Sequence, residues 1–135
     1  MAKKILIVDD EADLVDMISA RLIHEGYEVH DAQNGYEAIG HFLAAHHEQN
    51  PFQLIILDIK MPGISGIEVL KALRKEEELR GIKLGTGVPV IMLTALQHPM
   101  FESFSEGCDD FILKPYDETV LLKKVQEKLG SGKLN

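Results

Sequence analysis

The sequence predicts an α/β fold in which a parallel sheet carries helices on both faces. Short apolar runs alternate along the chain with longer segments whose apolar residues recur at helical spacing. The run at residues 54–57 is apolar at every position, as expected of a strand that is buried on both faces of a parallel sheet. Asp58 follows this run directly, and ligands of open α/β sheets bind at the carboxyl ends of the strands.

Five strands are predicted from the apolar runs, over residues 5–8, 27–32, 54–57, 88–93 and 111–113. The second is the weakest, because Tyr27 and Val29 alternate with polar residues as in an edge strand with one solvated face. Right-handed crossovers with one reversal of winding give the strand order 2-1-3-4-5. The predicted fold is therefore a flavodoxin-like, doubly wound (βα)5 sheet.

Five helices are predicted between and after these strands. The fourth is short, over about residues 100–106, and the third is expected to end in the charged run at 75–78. Asp117 is a candidate N-cap for the last helix. The residues expected to face the core are Leu14, Val15, Ile18 and Leu22 on the first helix, Ala38, Ile39, Phe42 and Leu43 on the second, Ile67, Leu70 and Leu73 on the third, and Leu121, Leu122, Val125 and Leu129 on the last.

Composition narrows the possible functions. The 135 residues suit one domain, which we place at residues 1–130, with 131–135 as a C-terminal tail or the start of a linker. Acidic residues outnumber basic ones by 22 to 14, which argues against direct nucleic-acid binding. We expect no membrane span and a cytoplasmic location, because the apolar runs are short, no signal pattern precedes the first strand and Cys108 is a single cysteine.

Polar residues follow four of the predicted strands. Asp9 and Asp10 follow the first strand and Asp58 the third, and these strands are neighbours in the predicted order. Their carboxylates should meet, and such a cluster of hard oxygen ligands suits Mg²⁺. Thr94 and Lys114, after the fourth and fifth strands, could bind phosphoryl oxygens around a carboxylate nucleophile. The product would be an acyl phosphate.

Four segments closely resemble the receiver domain of two-component response regulators. They read VDDE at residues 8–11, LDIKMPG at 57–63, LTA at 93–95 and GCDDFILKP at 107–115. The resemblance extends over residues 4–129, with the motifs in the family's order and near its spacing. It implies that Asp58 accepts a phosphoryl group from a phosphohistidine of a histidine kinase or a histidine phosphotransfer protein.

The resemblance also implies roles for the neighbouring residues. Asp10 and Asp58 would ligate Mg²⁺ directly together with the Lys60 carbonyl, and Asp9 would act mainly through a metal-bound water. Lys114, Thr94 and Ala95 would bind the phosphoryl group. The Lys114–Pro115 peptide bond is expected to be cis, and Thr94 and Phe111 match the family's switch pair.

The implied output is a rearranged surface formed by the predicted fourth helix, the last strand and the last helix. The chain would catalyse only its own aspartyl phosphorylation and dephosphorylation, and so would not be an enzyme acting on a foreign substrate. Its partners would be the phosphodonor protein and either a protein target or an output domain outside this chain, with a homodimer as a further possibility. Because Leu96 is apolar, we also expect the acyl phosphate to be longer-lived than in receivers that have an acidic or amide residue at that position.

Three other classes of protein are alternatives. A haloacid-dehalogenase-type phosphatase would need a second carboxylate two residues after Asp58, where Lys60 stands. A dinucleotide-binding domain would need a glycine-rich turn after the first strand, where the acidic residues Asp9 and Asp10 would repel phosphate. A pseudo-receiver, which binds proteins without being phosphorylated, stays the main alternative.

Overall fold

The sheet has five parallel strands in the order β2-β1-β3-β4-β5, as predicted. A computed structural model provides the structure, which describes residues 2–95 and 106–130. The strands are β1 (Lys4–Val8), β2 (Glu28–Ala32), β3 (Leu54–Asp58), β4 (Val90–Thr94) and β5 (Asp110–Leu113). The fourth strand begins two residues later than predicted, because Pro89 has no N–H to donate to the sheet.

Four helices lie in the described part of the chain: α1 (Ala12–His24), α2 (Gly35–His47), α3 (Gly66–Leu79) and α4 (Glu118–Leu129). The Asp117 side chain accepts a hydrogen bond from the Thr119 N–H and so caps α4 as predicted. None of these helices combines the length and the apolar character that a membrane crossing requires. Leu96 and nearly all of the predicted helix over 100–106 lie outside the described residues.

Successive side chains of the central strands point to opposite faces of the sheet, so the core consists of two layers. Leu6 and Val8 of β1 pack on the side of α2 and α3, whereas Ile5 and Ile7 pack on the side of α1 and α4. The same alternation holds in β3 and β4, and every residue of these two strands is buried. Helices therefore cover both faces of the sheet, and the apolar runs identified in the sequence are its central strands.

Two details of the helix prediction are wrong. Leu43 was expected to face the core, but its side chain is 38% exposed and Ala45 is buried instead. Ala45 lies three residues after Phe42 on the same helical face, while Leu43 is turned about 100° away. The third helix ends at Leu79, one residue beyond the charged run at 75–78, and Glu77 within that run is buried and paired with Arg74.

The carboxyl ends of the strands are held close together by backbone contacts. The Lys114 N–H donates to the Thr94 carbonyl, with 2.6 Å between nitrogen and oxygen, so the residue after β5 is fixed beside the end of β4. Gly66 allows α3 to begin against the end of β3, because a Cβ atom at that position would lie 2.1 Å from the Asp58 carbonyl oxygen. The candidate site lies at this carboxyl edge of the sheet, where these contacts hold the segments after the strands close together.

Candidate functional site

Three carboxylates meet at the carboxyl edge of the sheet. Asp9 is the first residue after β1, Asp10 follows it, and Asp58 is the last residue of the neighbouring strand β3. One oxygen from each carboxylate lies within 4.8 Å of the others. Asp9 and Asp58 are buried and Asp10 is exposed, so the cluster opens to solvent on one side. This spacing is close enough for all three groups to act on one small cation.

Lys114 reaches into this carboxylate cluster from the end of β5. Its Nζ atom lies 3.0 Å from Asp9 Oδ2 and 3.5 Å from Asp58 Oδ2. The peptide bond between Lys114 and Pro115 is cis, as the resemblance implies. The distance of 3.5 Å places the ammonium group beside the Asp58 carboxylate, which is the predicted nucleophile.

Burial and like charge both act on Asp58. Burial, reinforced by the negative charge of Asp9, raises the pKa of the Asp58 carboxyl to about 6, and the nearby Lys114 ammonium only partly opposes this. Burial alone would lower the pKa of Lys114, but its hydrogen bond to Asp9 and the charge of Asp58 raise that pKa above its ordinary value. The lysine therefore stays charged, yet one ammonium does not balance three carboxylates, and a divalent cation would.

Of the other predicted site residues, Thr94, Ala95 and Lys60 follow or end strands at the carboxyl edge, whereas Phe111 lies within the sheet opposite Met92. Thr94 is buried at the carboxyl end of β4, and Ala95 follows it at the surface. Phe111 of β5 is partly buried and packs against the core on the side of α2 and α3. Lys60 is exposed in the segment after β3. The phosphoryl, switch and metal roles of these residues stay predictions.

Two groups at this edge were not predicted to take part. Glu11, the last residue of the VDDE motif, contacts Lys114, with Oε1 3.2 Å from Nζ. Tyr116 has a buried hydroxyl without a hydrogen-bond partner in the described part of the chain. Burial raises the pKa of that hydroxyl to about 12, and the charged groups that act on it are Lys114, Asp9, Glu11 and Asp58. The acidic character of Glu11, directly after Asp9 and Asp10, could have indicated from the sequence that it takes part in the site. Nothing in the sequence indicated this for Tyr116.

The fold and the acidic cluster define a class of signalling domain in which an aspartate at a strand end is the candidate phosphoacceptor. The family model described as "Response regulator receiver domain" matches residues 5–126, so the chain belongs to the response regulator receiver domain family. It is 36% identical over 128 residues to the transcriptional regulatory protein ResD of Bacillus subtilis (strain 168). That alignment covers 93% of this chain and 48% of ResD, so the chain spans about half the length of this relative.

Solved structures show the same similarity. The chemotaxis protein CheY4 of Vibrio cholerae has a TM-score of 0.79 and 31% identity, and the match covers 96% of this chain and all of that one. The response regulator TrrA of Thermotoga maritima, in complex with Mg²⁺ and beryllium fluoride, has a TM-score of 0.77 and 35% identity, with 94% and 99% of the two chains covered. These similarities extend over 99–100% of each solved chain.

Proposed function

We propose that this domain accepts a phosphoryl group on Asp58 from a phosphohistidine of a histidine kinase or a histidine phosphotransfer protein. The observation that carries the proposal is the juxtaposition of three carboxylates and one ammonium group at the end of the central strand β3. An Asp58 oxygen would form the new bond to phosphorus while the phosphorus–nitrogen bond of the donor breaks, and the imidazole leaves with its electron pair. The product is a mixed anhydride on Asp58.

The acidic cluster fits a bound Mg²⁺ ion. Asp10 and Asp58 would hold it together with the Lys60 carbonyl, and Asp9 would hold it through a water. The ion would supply positive charge to the carboxylates and to the phosphoryl oxygens during transfer. The short distances among the carboxylate oxygens support this assignment, because three acidic groups this close are costly without a cation.

The remaining residues would bind the phosphoryl group on Asp58 and couple phosphorylation to a change at the output surface. Lys114 would bind one phosphoryl oxygen with its ammonium group, and Thr94 and Ala95 would bind others with the hydroxyl and the backbone N–H. Displacement of Thr94 toward the phosphoryl group would draw the Phe111 ring inward. The surface formed by residues 100–106, β5 and α4 would then change and bias a bound partner.

We also propose a cellular setting and partners for this domain. The receiver domain would occupy residues 1–130, with 131–135 as a tail or linker, and would act in the cytoplasm. It would catalyse only its own phosphorylation and dephosphorylation. Its downstream partner would be a protein target or an output domain outside this chain, with no direct nucleic-acid contact from the receiver and with homodimer formation as one route to output.

Intact mass after incubation with acetyl phosphate tests the proposal. Wild-type protein with Mg²⁺ should gain the mass of one phosphoryl group, and omission of Mg²⁺ or the substitution Asp58→Asn should abolish the gain. Asp109→Asn is the matched control, because Asp109 precedes β5 at the opposite edge of the sheet, and it should gain the phosphoryl group normally. A folded wild-type protein that gains no mass with Mg²⁺ would favour the pseudo-receiver instead.

A further inference from the structure

The backbone that follows Asp58 lies against Gly66, the first residue of α3. We propose that Gly66 is a positioning residue for the cation site, which fixes the backbone of residues 58–60 so that the Asp58 carboxylate and the Lys60 carbonyl face one ion. This inference rests on the proposed function, because a Mg²⁺ ion at the acidic cluster is part of that proposal. Gly66 itself would touch neither the ion nor the phosphoryl group.

Two backbone segments come too close at Gly66 for a side chain to fit between them. A Cβ atom at this position would overlap the Asp58 carbonyl oxygen and would lie 2.9 Å from the Ile59 Cα atom. Because these are backbone atoms, rotation of a side chain cannot make room, and a larger residue would displace the start of α3 or the end of β3. The Gly66 N–H also donates to the Ile59 carbonyl at 2.8 Å, which joins the two segments directly.

The sheet and the core also hold the segment that follows Asp58. The Ile59 N–H donates to the Leu93 carbonyl at 3.0 Å. The side chains of Ile59 and Met61 are 6% and 8% exposed and pack in the core on the side of α2 and α3, whereas Lys60 between them is exposed. The peptide groups around Lys60 therefore lie between anchored neighbours, one of which is in contact with Gly66.

A backbone carbonyl is a ligand that only the path of the chain can place. A carboxylate can reorient by rotation of its side chain, but the Lys60 carbonyl has no such freedom. Mg²⁺ requires near-ideal octahedral geometry, so displacement of one ligand weakens its binding. Contacts that orient metal ligands without touching the metal typically contribute about 10- to 100-fold to affinity. The contact of Gly66 with Asp58 and Ile59 is of this kind.

The first test compares Gly66→Ala with Ser65→Ala in a Mg²⁺ titration followed by the backbone amide signals in NMR spectra. Gly66→Ala should raise the dissociation constant of Mg²⁺ about tenfold or more, because the new methyl group displaces the backbone of Asp58. Ser65 is the N-cap of α3, and its hydroxyl accepts from the Glu68 N–H at 3.2 Å. Ser65→Ala weakens the same helix start without adding an atom against Asp58, so it should keep the wild-type dissociation constant.

A second control places a similar overlap at the opposite edge of the sheet. A Cβ atom at Gly87, in the segment that precedes β4, would overlap the buried Glu77 carboxylate. Urea unfolding without Mg²⁺ should show that Gly66→Ala and Gly87→Ala are both less stable than wild type. Only Gly66→Ala should also lose Mg²⁺ affinity, which a merely structural glycine would leave unchanged.

Hydrogen exchange of the wild-type protein tests the same contact and decides the question if Gly66→Ala does not fold. Rupture of the bond between the Gly66 N–H and the Ile59 carbonyl would free the Lys60 carbonyl and release the ion. Mg²⁺ at about a hundred times its dissociation constant should therefore slow exchange of the Gly66 N–H about a hundredfold. The Val88 N–H, which donates to Glu77 at 2.7 Å before β4, should be slowed much less.

The outcomes separate this inference from the proposed function. Wild-type protein that binds Mg²⁺ no more tightly than Gly66→Ala, equal losses of affinity in Gly66→Ala and either control, or equal protection of the Gly66 and Val88 N–H groups would overturn the inference and leave the proposed function intact. A wild-type protein that binds no Mg²⁺ would overturn both the proposed cation site and the role of Gly66.

Discussion

Buried charges lie at both edges of the sheet, but they are arranged differently. The carboxyl-edge cluster has four carboxylates and one ammonium group, which pairs with three of the carboxylates; its residues are Asp9, Asp10, Glu11, Asp58 and Lys114. The amino-edge cluster consists of Arg74, Glu77 and Asp109, and it joins α3 to the segments that precede β4 and β5. The first cluster has three more negative groups than positive ones, whereas the second has only one more and pairs both of its carboxylates with Arg74.

The polar groups of the amino-edge cluster bind one another and the backbone. The Arg74 guanidinium makes five hydrogen bonds, of which two go to the Gly107 carbonyl and one each to the Val88 carbonyl, Glu77 and Asp109. Glu77 also accepts from the Val88 N–H at 2.7 Å, and Asp109 accepts from the Val90 N–H at 2.8 Å. Each charged group of the amino-edge cluster therefore has a hydrogen-bond partner within the described part of the chain.

This difference indicates that the charges of the amino-edge cluster stabilise the fold, whereas those of the carboxyl-edge cluster bind a ligand. A buried group with all of its partners inside the chain fixes the geometry of the elements that it joins. A cluster with excess charge raises the energy of the unliganded protein, and a cation or a positively charged partner relieves it. Substitutions at the two edges should therefore have opposite effects on the free energy of unfolding.

The largest effect is expected for Arg74→Met. This substitution leaves the buried Glu77 carboxylate without its cation and frees two backbone carbonyls, so it should lower the free energy of unfolding by about 3–5 kcal/mol. Urea unfolding without Mg²⁺ measures the change. Arg80→Met is the control: Arg80 pairs with Glu76 at the surface of α3, and its loss should cost less than about 1 kcal/mol. Equal costs for the two variants would contradict the structural role of the amino-edge cluster.

Asp58→Asn should raise the free energy of unfolding in the absence of Mg²⁺, whereas Arg74→Met should lower it. Because the pKa of Asp58 is raised from 3.8 to about 6, the folded protein holds this proton more tightly than the unfolded chain does between those pH values. Ionisation of Asp58 therefore costs stability as the pH rises through this window, and the cost persists above it. Relative to wild type, Asp58→Asn should gain about 1–3 kcal/mol at pH 7.5 and almost nothing near pH 4.

The matched variant at the other edge is Asp109→Asn. It weakens a contact with Arg74 and alters the acceptor of the Val90 N–H, so it should lose about 1–3 kcal/mol at pH 7.5. Urea unfolding of wild type and both variants from pH 4 to pH 8 gives the comparison. A wild-type protein that is more stable than Asp58→Asn at pH 7.5 would show that Lys114 already compensates the carboxyl edge.

The smallest effects are expected for two tyrosines. The Tyr27 hydroxyl donates to the Gly130 carbonyl at 2.7 Å near the amino edge, whereas the Tyr116 hydroxyl is buried at the carboxyl edge without a partner among the described residues. Tyr27→Phe should therefore cost about 1 kcal/mol, and Tyr116→Phe should be neutral or stabilising by up to about 1 kcal/mol. Thermal unfolding of the two variants distinguishes them, and equal losses would mean that the Tyr116 hydroxyl has a partner in solution.

Sequence reasoning predicted the carboxyl edge better than the amino edge. Asp9, Asp58 and Lys114 each directly follow or end an apolar run, so a parallel sheet brings them together whatever the exact strand boundaries. Arg74 instead binds the carbonyls of Val88 and Gly107, and a backbone carbonyl has no signature in a sequence. The charged run at 75–78 therefore suggested a helix end, although Glu77 is buried there by contacts with distant segments.

The central claim is that the carboxyl-edge cluster binds a cation because of its excess negative charge, and Mg²⁺ binding tests this claim most directly. The measurement is thermal unfolding at pH 7.5 across millimolar Mg²⁺ concentrations. Mg²⁺ should stabilise wild type and Asp109→Asn alike, by about 2.7 kcal/mol when its concentration reaches a hundred times its dissociation constant. Asp58→Asn should respond much less, because it lacks a carboxylate of the cluster. A wild-type melting temperature that is indifferent to Mg²⁺, or an Asp58→Asn variant that responds as wild type does, would contradict the account.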